Sequence, residues 1–213
     1  GEEGNGIYRR PADGSGKPEQ VLERDEPPEI DDISHDGKFL VFSESGDIWL
    51  LPLGGGKPQP FQKTPANELL AAISPDGRWI AYDSNESGQF EIYVRPLSGK
   101  EGKWQISSGG AGYARWSPDG RMLYYRTGAG TMMRAPIETA GGDFRVGRAE
   151  EMFKGTFDVH SDGVRRYDVA PGGKRFVMLQ TPAASTAEQE QLRVVLHWFD
   201  DLRRTFAQGG GSQ

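Results

Sequence analysis

The residues whose types and spacing could do chemistry are few, and one group of them could hold a cation. Asp83, Asn85 and Ser87 place side-chain oxygens at alternating positions just before Gly88, as in the first half of a calcium-binding loop. Such a loop also needs a bidentate glutamate at its twelfth position, where this sequence has Val94. The pattern therefore favours a turn at residues 83–88 and keeps a calcium site as the weaker alternative.

A second group of polar residues is suited to ligand binding rather than to catalysis. His160, Arg165 and Arg166 lie in a loop ahead of a predicted strand. They could contact a polar ligand, although loop residues of this kind are most often only solvated. The other two histidines, His35 and His197, have no second histidine at metal-binding spacing and are predicted to be structural.

Catalytic signatures are absent from the sequence. It contains no cysteine, which excludes a thiolate nucleophile, a thiolate zinc site and disulfides. It also lacks the Gly-x-Ser-x-Gly motif of α/β-hydrolases and the loops of protein kinases, and the glycine-rich run at 54–57 lacks the spacing of a phosphate-binding loop. We therefore predict no catalytic residue and no cofactor, and we expect that the chain is not an enzyme.

Composition narrows the class of partner. The 213 residues carry 25 Lys and Arg against 31 Asp and Glu, a net charge of -6. Basic residues cluster only as pairs such as Arg9-Arg10, which disfavours nucleic-acid binding. No apolar run has the roughly 18 residues of a membrane span, and residues 1–6 do not resemble a signal peptide. We expect a protein or peptide partner and no membrane insertion by this chain.

The candidate residues are embedded in a repeat that predicts how they are positioned. One repeated feature is a turn of the Ser-Pro-Asp-Gly type between strand-forming residues. The four copies are 34–37, 74–77, 117–120 and 170–173. A second feature is an Ile-aromatic-x-x-Pro segment, whose starts are Ile7, Ile48, Ile92 and a degenerate Met132. A period of about 40 to 45 residues with several short strands is typical of β-propeller blades.

Each repeat is predicted to form one four-stranded antiparallel blade, so the fold class is all-β. The predicted propeller spans 1–208 and is followed by a flexible tail at 209–213. Its parts are a partial blade at 6–23, blades at about 28–65, 66–108 and 109–155, a terminal partial blade at 156–198 and a short helix at 199–206. An unpaired blade edge can bind another chain, so self-association through these edges is a further expectation.

The turns, followed by segments such as Glu91-Ile-Tyr, resemble the repeats of TolB-like propellers, a branch of the WD-type β-propellers. The segments at 142–148, 167–176 and 194–202 resemble, more specifically, the C-terminal propellers of bacterial serine/threonine protein kinases. The resemblance implies a six-bladed propeller of which four to five blades are covered, and a periplasmic or extracellular sensor or scaffold. His35 in place of Pro and Gly172 in place of Asp depart from the family turn.

The predicted topology gathers the ligand-binding candidates at one mouth, because connections between blades share the end opposite the Ser-Pro-Asp-Gly turns. The candidates are Asn67, Glu68, Asn85, Tyr113, His160, Arg165 and Arg166. The expected function is non-catalytic recognition of a protein, peptide or envelope ligand. Two alternatives remain open, namely an accessory propeller of a prolyl-oligopeptidase-like hydrolase and a propeller lyase or lactonase with a channel metal.

Overall fold

The described residues form only β-structure. The computed structural model describes residues 5–139, 143–155 and 166–179, and every regular element within them is a strand of an antiparallel sheet. The first sheet, here called the N-terminal hairpin, pairs β1 (Gly6–Arg9) with β2 (Glu19–Glu23). The all-β class is thereby confirmed.

Two sheets have four strands that pair in chain order, as expected of propeller blades. Blade 1 consists of β3 (Glu29–Ile33), β4 (Phe39–Glu44), β5 (Asp47–Pro52) and β6 (Gln59–Gln62). Blade 2 consists of β7 (Glu68–Ile73), β8 (Trp79–Ser84), β9 (Glu91–Pro96) and β10 (Trp104–Gln105). Since successive hairpin turns alternate between the two ends of such a sheet, the Ser-Asp turns and the residues before β7 lie at opposite ends.

The third sheet differs from the expected four strands because its outer strand is divided. Blade 3 contains β11 (Ala111–Trp116), β12 (Met122–Thr127), β13 (Thr131–Glu138), β14 (Arg145–Val146) and β15 (Glu150–Lys154). Strands β14 and β15 both pair with β13, at its end and its beginning. The division falls at Pro136, which has no N–H to continue the ladder, and there Gly147 N–H donates to the Pro136 carbonyl at 2.8 Å.

A last hairpin follows blade 3 and completes the described part of the chain. It pairs β16 (Tyr167–Val169) with β17 (Phe176–Met178). The chain divides into two units, 1–181 and 182–213. The second unit lies outside the described residues, and so do the helix predicted at 199–206 and the tail predicted at 209–213. No helix with the length and hydropathy of a membrane span is found in the described ranges.

Buried side chains pack between neighbouring sheets. Val41 and Ile48 of blade 1 meet Ile73, Ile80 and Tyr82 of blade 2 in one apolar cluster. A larger cluster joins blades 2 and 3. Five of the repeated aromatic residues are buried in these clusters between blades, namely Trp79, Tyr82, Tyr93, Trp116 and Tyr125, whereas Trp49 is only partly buried.

Each Ser-Asp turn is held by a small hydrogen-bond network. In blade 2 the Ser74 hydroxyl donates to Asp76 Oδ1 at 2.6 Å and accepts from the Trp79 N–H at 3.0 Å. The Gly77 N–H donates to the Ser74 carbonyl at 2.8 Å, and Gly77 has φ of +69°. The same bonds recur at 34–39 and 117–122, so His35 does not disturb its turn. At 170–173 only the backbone bonds remain, because Ala and Gly replace Ser and Asp.

Replacing Gly77 or Gly120 by valine should destabilise the protein by about 1–3 kcal/mol each. Both glycines have φ near +70°, at +69° and +71°, and a β-branched residue is a steric outlier in this region. Chemical denaturation measures the effect. Gly54→Val is the matched control, since Gly54 has open space around it. If Gly77→Val unfolds like Gly54→Val, the turn conformation proposed here is wrong.

The turn aspartates also make stability depend on pH. A hydrogen bond from Lys38 and another from Ser34 lower the pKa of Asp36 to about 2. The Ser117 hydroxyl is the main cause of the lowered pKa of Asp119. Because both values lie below that of an unfolded aspartate, about 3.9, the two carboxylates stabilise the fold above that pH. The contribution is lost as pH falls through the folded-state values.

A variant with Asp36→Asn and Asp119→Asn should therefore show a weaker fall in melting temperature between pH 4 and pH 2 than the parent. Asparagine keeps an oxygen that can accept from the serine, but it cannot be protonated in this range. Thermal unfolding followed across that pH window provides the measurement. Asp143→Asn, at an exposed position, should leave the profile as in the parent. An unchanged profile in the double variant would contradict the linkage.

Candidate functional site

An open cavity of about 770 Å³ lies at the end of blade 1 where the connections between sheets meet. Its lining comes from three separate parts of the chain. These are residues 24–27 and 29 in the connection from β2 and the start of β3, residues 43–46 around the turn between β4 and β5, and residues 67–69 at the start of β7. We call it the mouth cavity, and its size is that of a ligand site.

The structure brings three of the sequence-predicted candidates together. Asn67 and Glu68 line the mouth cavity. The Asn67 N–H donates to Asn85 Oδ1 at 2.8 Å, and the Asn85 N–H donates to the Asn67 carbonyl at 3.2 Å. This pair of bonds fixes the connection that enters blade 2 against the turn between β8 and β9.

Two other candidates, Tyr113 and Arg166, do not line this cavity. Tyr113 has φ of +66° in a bulge of β11, its N–H donates to Asp83 Oδ2 at 2.8 Å, and its carbonyl accepts from the Tyr167 hydroxyl at 2.5 Å. The backbone of Tyr113 thus forms hydrogen bonds that join neighbouring sheets. Arg166 directly precedes β16, and its carbonyl accepts from the Leu179 N–H at 3.1 Å. His160 and Arg165 lie outside the described residues.

The oxygens of the alternative calcium site serve separate protein partners. Asp83 is buried and accepts from the Tyr113 N–H, whereas Asn85 Oδ1 accepts from the Asn67 N–H. The Ser87 hydroxyl donates to the Gln89 carbonyl at 3.3 Å. The segment forms the turn that its sequence favours, closed by the Gly88 N–H on the Asn85 carbonyl at 2.9 Å. In the described ranges no three His, Cys, Asp or Glu side chains are grouped so that they could hold a metal ion.

Glu68 is the most unusual residue of the mouth cavity. It is fully buried, and one carboxylate oxygen, Oε1, accepts a hydrogen bond from the Thr64 hydroxyl. Its N–H donates to the Gly46 carbonyl at 2.7 Å. The other oxygen, Oε2, has no hydrogen-bond partner among the described residues. A buried carboxylate oxygen left in this state costs free energy.

A second buried polar atom lies near Glu68. The Tyr82 hydroxyl also has no hydrogen-bond partner in the described part of the chain. Burial raises the pKa of Tyr82 above its ordinary value, the positive charge of Arg95 opposes this, and the carboxylates of Glu86 and Glu68 add to it.

The rim of the mouth cavity is acidic. The guanidinium of Arg24 is already paired with Glu44, with Nε and Oε1 2.7 Å apart. Asp25, Glu26 and Glu29 also line the cavity, and none of the three has an ion pair within the described residues. Sequence reasoning missed Asp25, Glu26 and Glu44 as site residues, although the acidic connection before β3 is visible in the sequence.

The opposite end of the sheets is chemically different. A cavity of about 680 Å³ there is lined by the turns at 74–79 and 119–121 together with 137–139. Arg78 there contacts Asp76 at 2.7 Å and donates to the Thr139 hydroxyl at 3.0 Å. Of the two cavities, only the mouth cavity has a buried carboxylate oxygen, Glu68 Oε2, without a partner among the described residues.

Comparison with known proteins supports the fold. The structure of TolB from Acinetobacter baumannii matches 82% of this chain and 42% of that chain, with a TM-score of 0.61 and 22% identity. The crystal structure of the tricorn protease matches 67% of this chain and 19% of that chain, with a TM-score of 0.53 and 16% identity. The described sheets are β-propeller blades. The expected likeness to TolB-like propellers is thus confirmed at the level of the fold.

One relative is similar at the sequence level. Tricorn protease homolog 1 of Streptomyces coelicolor is 31% identical to this propeller over 94 residues, which are 43% of this chain and 9% of that protein. No family model matches the chain. The chain therefore spans less than half the length of each of these proteins.

Proposed function

We propose that the chain is a non-catalytic propeller module that binds a protein or peptide ligand at its mouth. The observation that carries the proposal is the open cavity at this end, where Asp25, Glu26 and Glu29 have no ion pair within the described residues. The turns at the other end bond among themselves. The absence of cysteine and of hydrolase motifs in the sequence supports a role in binding rather than in catalysis.

The cellular setting of this role follows from the resemblance to TolB-like propellers. It implies a periplasmic or extracellular sensor or scaffold, and the motifs at 142–148, 167–176 and 194–202 suggest attachment to a bacterial serine/threonine kinase. In that setting the propeller would recognise an envelope ligand. The fold alone does not determine which ligand is bound, so the proposal rests on the mouth cavity.

A second candidate is an accessory propeller of a protease. The similarity to Tricorn protease homolog 1 favours it, because the matched stretch covers almost half of this chain. The catalytic residues would then belong to another part of the protein, and the mouth would admit or hold peptide substrates. A lyase or lactonase with a channel metal has no specific observation in its favour.

Site-specific photo-crosslinking tests the proposed function. A photoreactive residue at Asn67, at the rim of the mouth cavity, should crosslink a partner from envelope extract. The same residue at Arg121, which lines the cavity at the opposite end, is the matched control and should capture much less. Equal capture at both positions, or hydrolysis of peptides by the purified chain, would contradict binding at the mouth by a non-catalytic module.

A further inference from the structure

The first and last sheets of the described part of the chain are each half of a blade. In these ranges β1 pairs only with β2, and β16 pairs only with β17. Strand β1 carries the Ile-aromatic-x-x-Pro motif of the third strands β5 and β9, so the N-terminal hairpin supplies a third and a fourth strand. The turn at 170–173 joins a first strand to a second. Each end therefore lacks the pair of strands that the other end has.

The unpaired edges of β17 and β1 match in register. In each complete blade, the residue four positions after the turn glycine lies opposite the residue two positions after the start of the third-strand motif. The pairs are Val41 with Leu50, Ala81 with Val94 and Tyr124 with Arg134. The same count places Val177 opposite Arg9. An open strand edge is a template for pairing with another chain.

The end sheets also expose most of the apolar side chains that the described ranges leave in solvent. Of five exposed large apolar side chains, four lie on β3 or in the last hairpin, and each of these is more than half exposed. They are Ile30, Ile33, Val177 and Leu179. A set of exposed apolar side chains on one surface indicates a contact with another protein surface.

In blade 2 the corresponding positions are covered by the neighbouring blades. Ile73, which like Ile33 directly precedes a turn serine, is buried against blade 1. Ala81, the counterpart of Val177, is buried against blade 3. The exposed side chains of β3 therefore lack a preceding half-blade, and those of the last hairpin lack a following blade, within the described residues.

A polar group of the last hairpin has the same relation to a missing blade. Asp32 binds blade 1 to blade 2, because its Oδ2 accepts the Ile73 N–H at 2.9 Å while its Oδ1 accepts the N–H of Ile33. Asp168 holds the equivalent position and bonds the next N–H in the same way. Its side chain is exposed, with Oδ1 3.5 Å from Arg115 Nε. Asp168 Oδ2 is thus placed to accept an N–H from a following blade.

We propose that copies of this chain associate head to tail, with the last hairpin of one copy completing the half-blade at the start of the next. In this contact β17 pairs with β1 of the second copy. Blade 1 of that copy covers Val177 and Leu179, and its Ile33 N–H donates to Asp168 Oδ2. A second copy supplies the missing strands because the two ends of one chain lie in separate sheets. The contact joins two different surfaces and can therefore repeat.

Light scattering of the full chain over a range of concentrations tests the association. The mass of the parent should rise above 23.4 kDa, the mass of one chain. Val177→Asp and Ile33→Asp each place a charge on one of the two surfaces and should hold the chain at that mass. Phe90→Asp, at the fifth exposed apolar position, is the matched control and should associate like the parent. A parent that stays at the mass of one chain would overturn the proposal.

Mixing the two blocked variants tests the head-to-tail arrangement. Val177→Asp keeps an intact N-terminal end and Ile33→Asp keeps an intact last hairpin, so an equimolar mixture should form a one-to-one dimer. Both positions are more than half exposed, and each variant alone should melt like the parent at the same low concentration. Association of either variant alone, or no dimer in the mixture, would overturn the proposal.

Disulfide crosslinking tests the strand register. The chain has no cysteine of its own. Positions opposite one another in an antiparallel pair come within disulfide range, so Arg9→Cys and Val177→Cys variants should form a mixed disulfide when oxidised together. Glu101→Cys, exposed and outside both edges, should replace Arg9→Cys with far less product.

The two cysteines combined in one chain distinguish a second copy from closure of the chain on itself. Oxidation of the Arg9→Cys, Val177→Cys double variant should give linked dimers and longer products. A disulfide within one chain, formed without change of mass, would overturn the proposal. In that case capture at Asn67 could still support ligand binding at the mouth, because the two end hairpins are separate from that cavity position.

Discussion

Replacing Phe144 by alanine should lower the free energy of unfolding by about 3–5 kcal/mol. The Phe144 side chain is only 5% exposed. The centroid of its ring lies 4.8 Å from those of Trp79 and Trp104 in blade 2, and 6.5 Å from that of Trp116 in blade 3. Truncation removes the ring on which three tryptophans converge and leaves a cavity between two blades. Denaturant unfolding followed by tryptophan fluorescence measures the loss.

The matched control for this prediction is Phe90→Ala. The Phe90 side chain is 39% exposed, so the same truncation there should cost less than about 1 kcal/mol. Tryptophan fluorescence reports on the unfolding of both variants, because each keeps every tryptophan. If Phe144→Ala costs no more than Phe90→Ala, the packing between blades 2 and 3 described here is incorrect.

Replacing Gly112 by alanine should destabilise the protein by about 1–3 kcal/mol through overpacking. A Cβ at this position would lie 2.5 Å from Asp83 Oδ2. The carboxylate cannot easily move, because Asp83 is buried and holds the Tyr113 N–H at 2.8 Å. Relieving the clash therefore weakens a hydrogen bond between blades 2 and 3.

A double-mutant cycle checks that the cost comes from this contact. Asp83→Ser shortens the side chain, so Gly112→Ala should cost less in that background than in the parent. Gly128→Ala is the control for glycine replacement, since nothing lies within 4 Å of its added Cβ. Equal costs of Gly112→Ala in both backgrounds would show that Asp83 is not the group that excludes a side chain.

Local chemistry explains why the blades could be predicted from the sequence. The Ser-Asp turns are bonded within six residues, for example from Ser74 to Trp79, and their glycines adopt the positive φ that the turn type requires. Strand pairing then follows from each turn. The divided outer strand of blade 3 was not predicted, because it depends on Pro136 and on a partner about ten residues further along the chain.

The candidate site was predictable only in part. The order of strands predicts Asn67, Glu68 and Asn85 at the mouth, because it places the connections between blades at one end. The two hydrogen bonds between Asn67 and Asn85 agree with that prediction. Tyr113 was assigned by the same rule, but its backbone is used between sheets. The rule places a residue at one end of a strand and does not say which neighbour its groups will meet.

The sequence by itself determined the all-β class, the repeat and the turns, since each depends on residues close together in the chain. Only the tertiary structure decided which carboxylates meet around one cavity, because Arg24 to Glu29, Ser43 to Gly46 and Asn67 to Leu69 come from three connections. It also decided that Glu68 keeps one oxygen without a protein partner in the described residues. Burial and hydrogen-bond satisfaction depend on long-range packing, which local propensity does not encode.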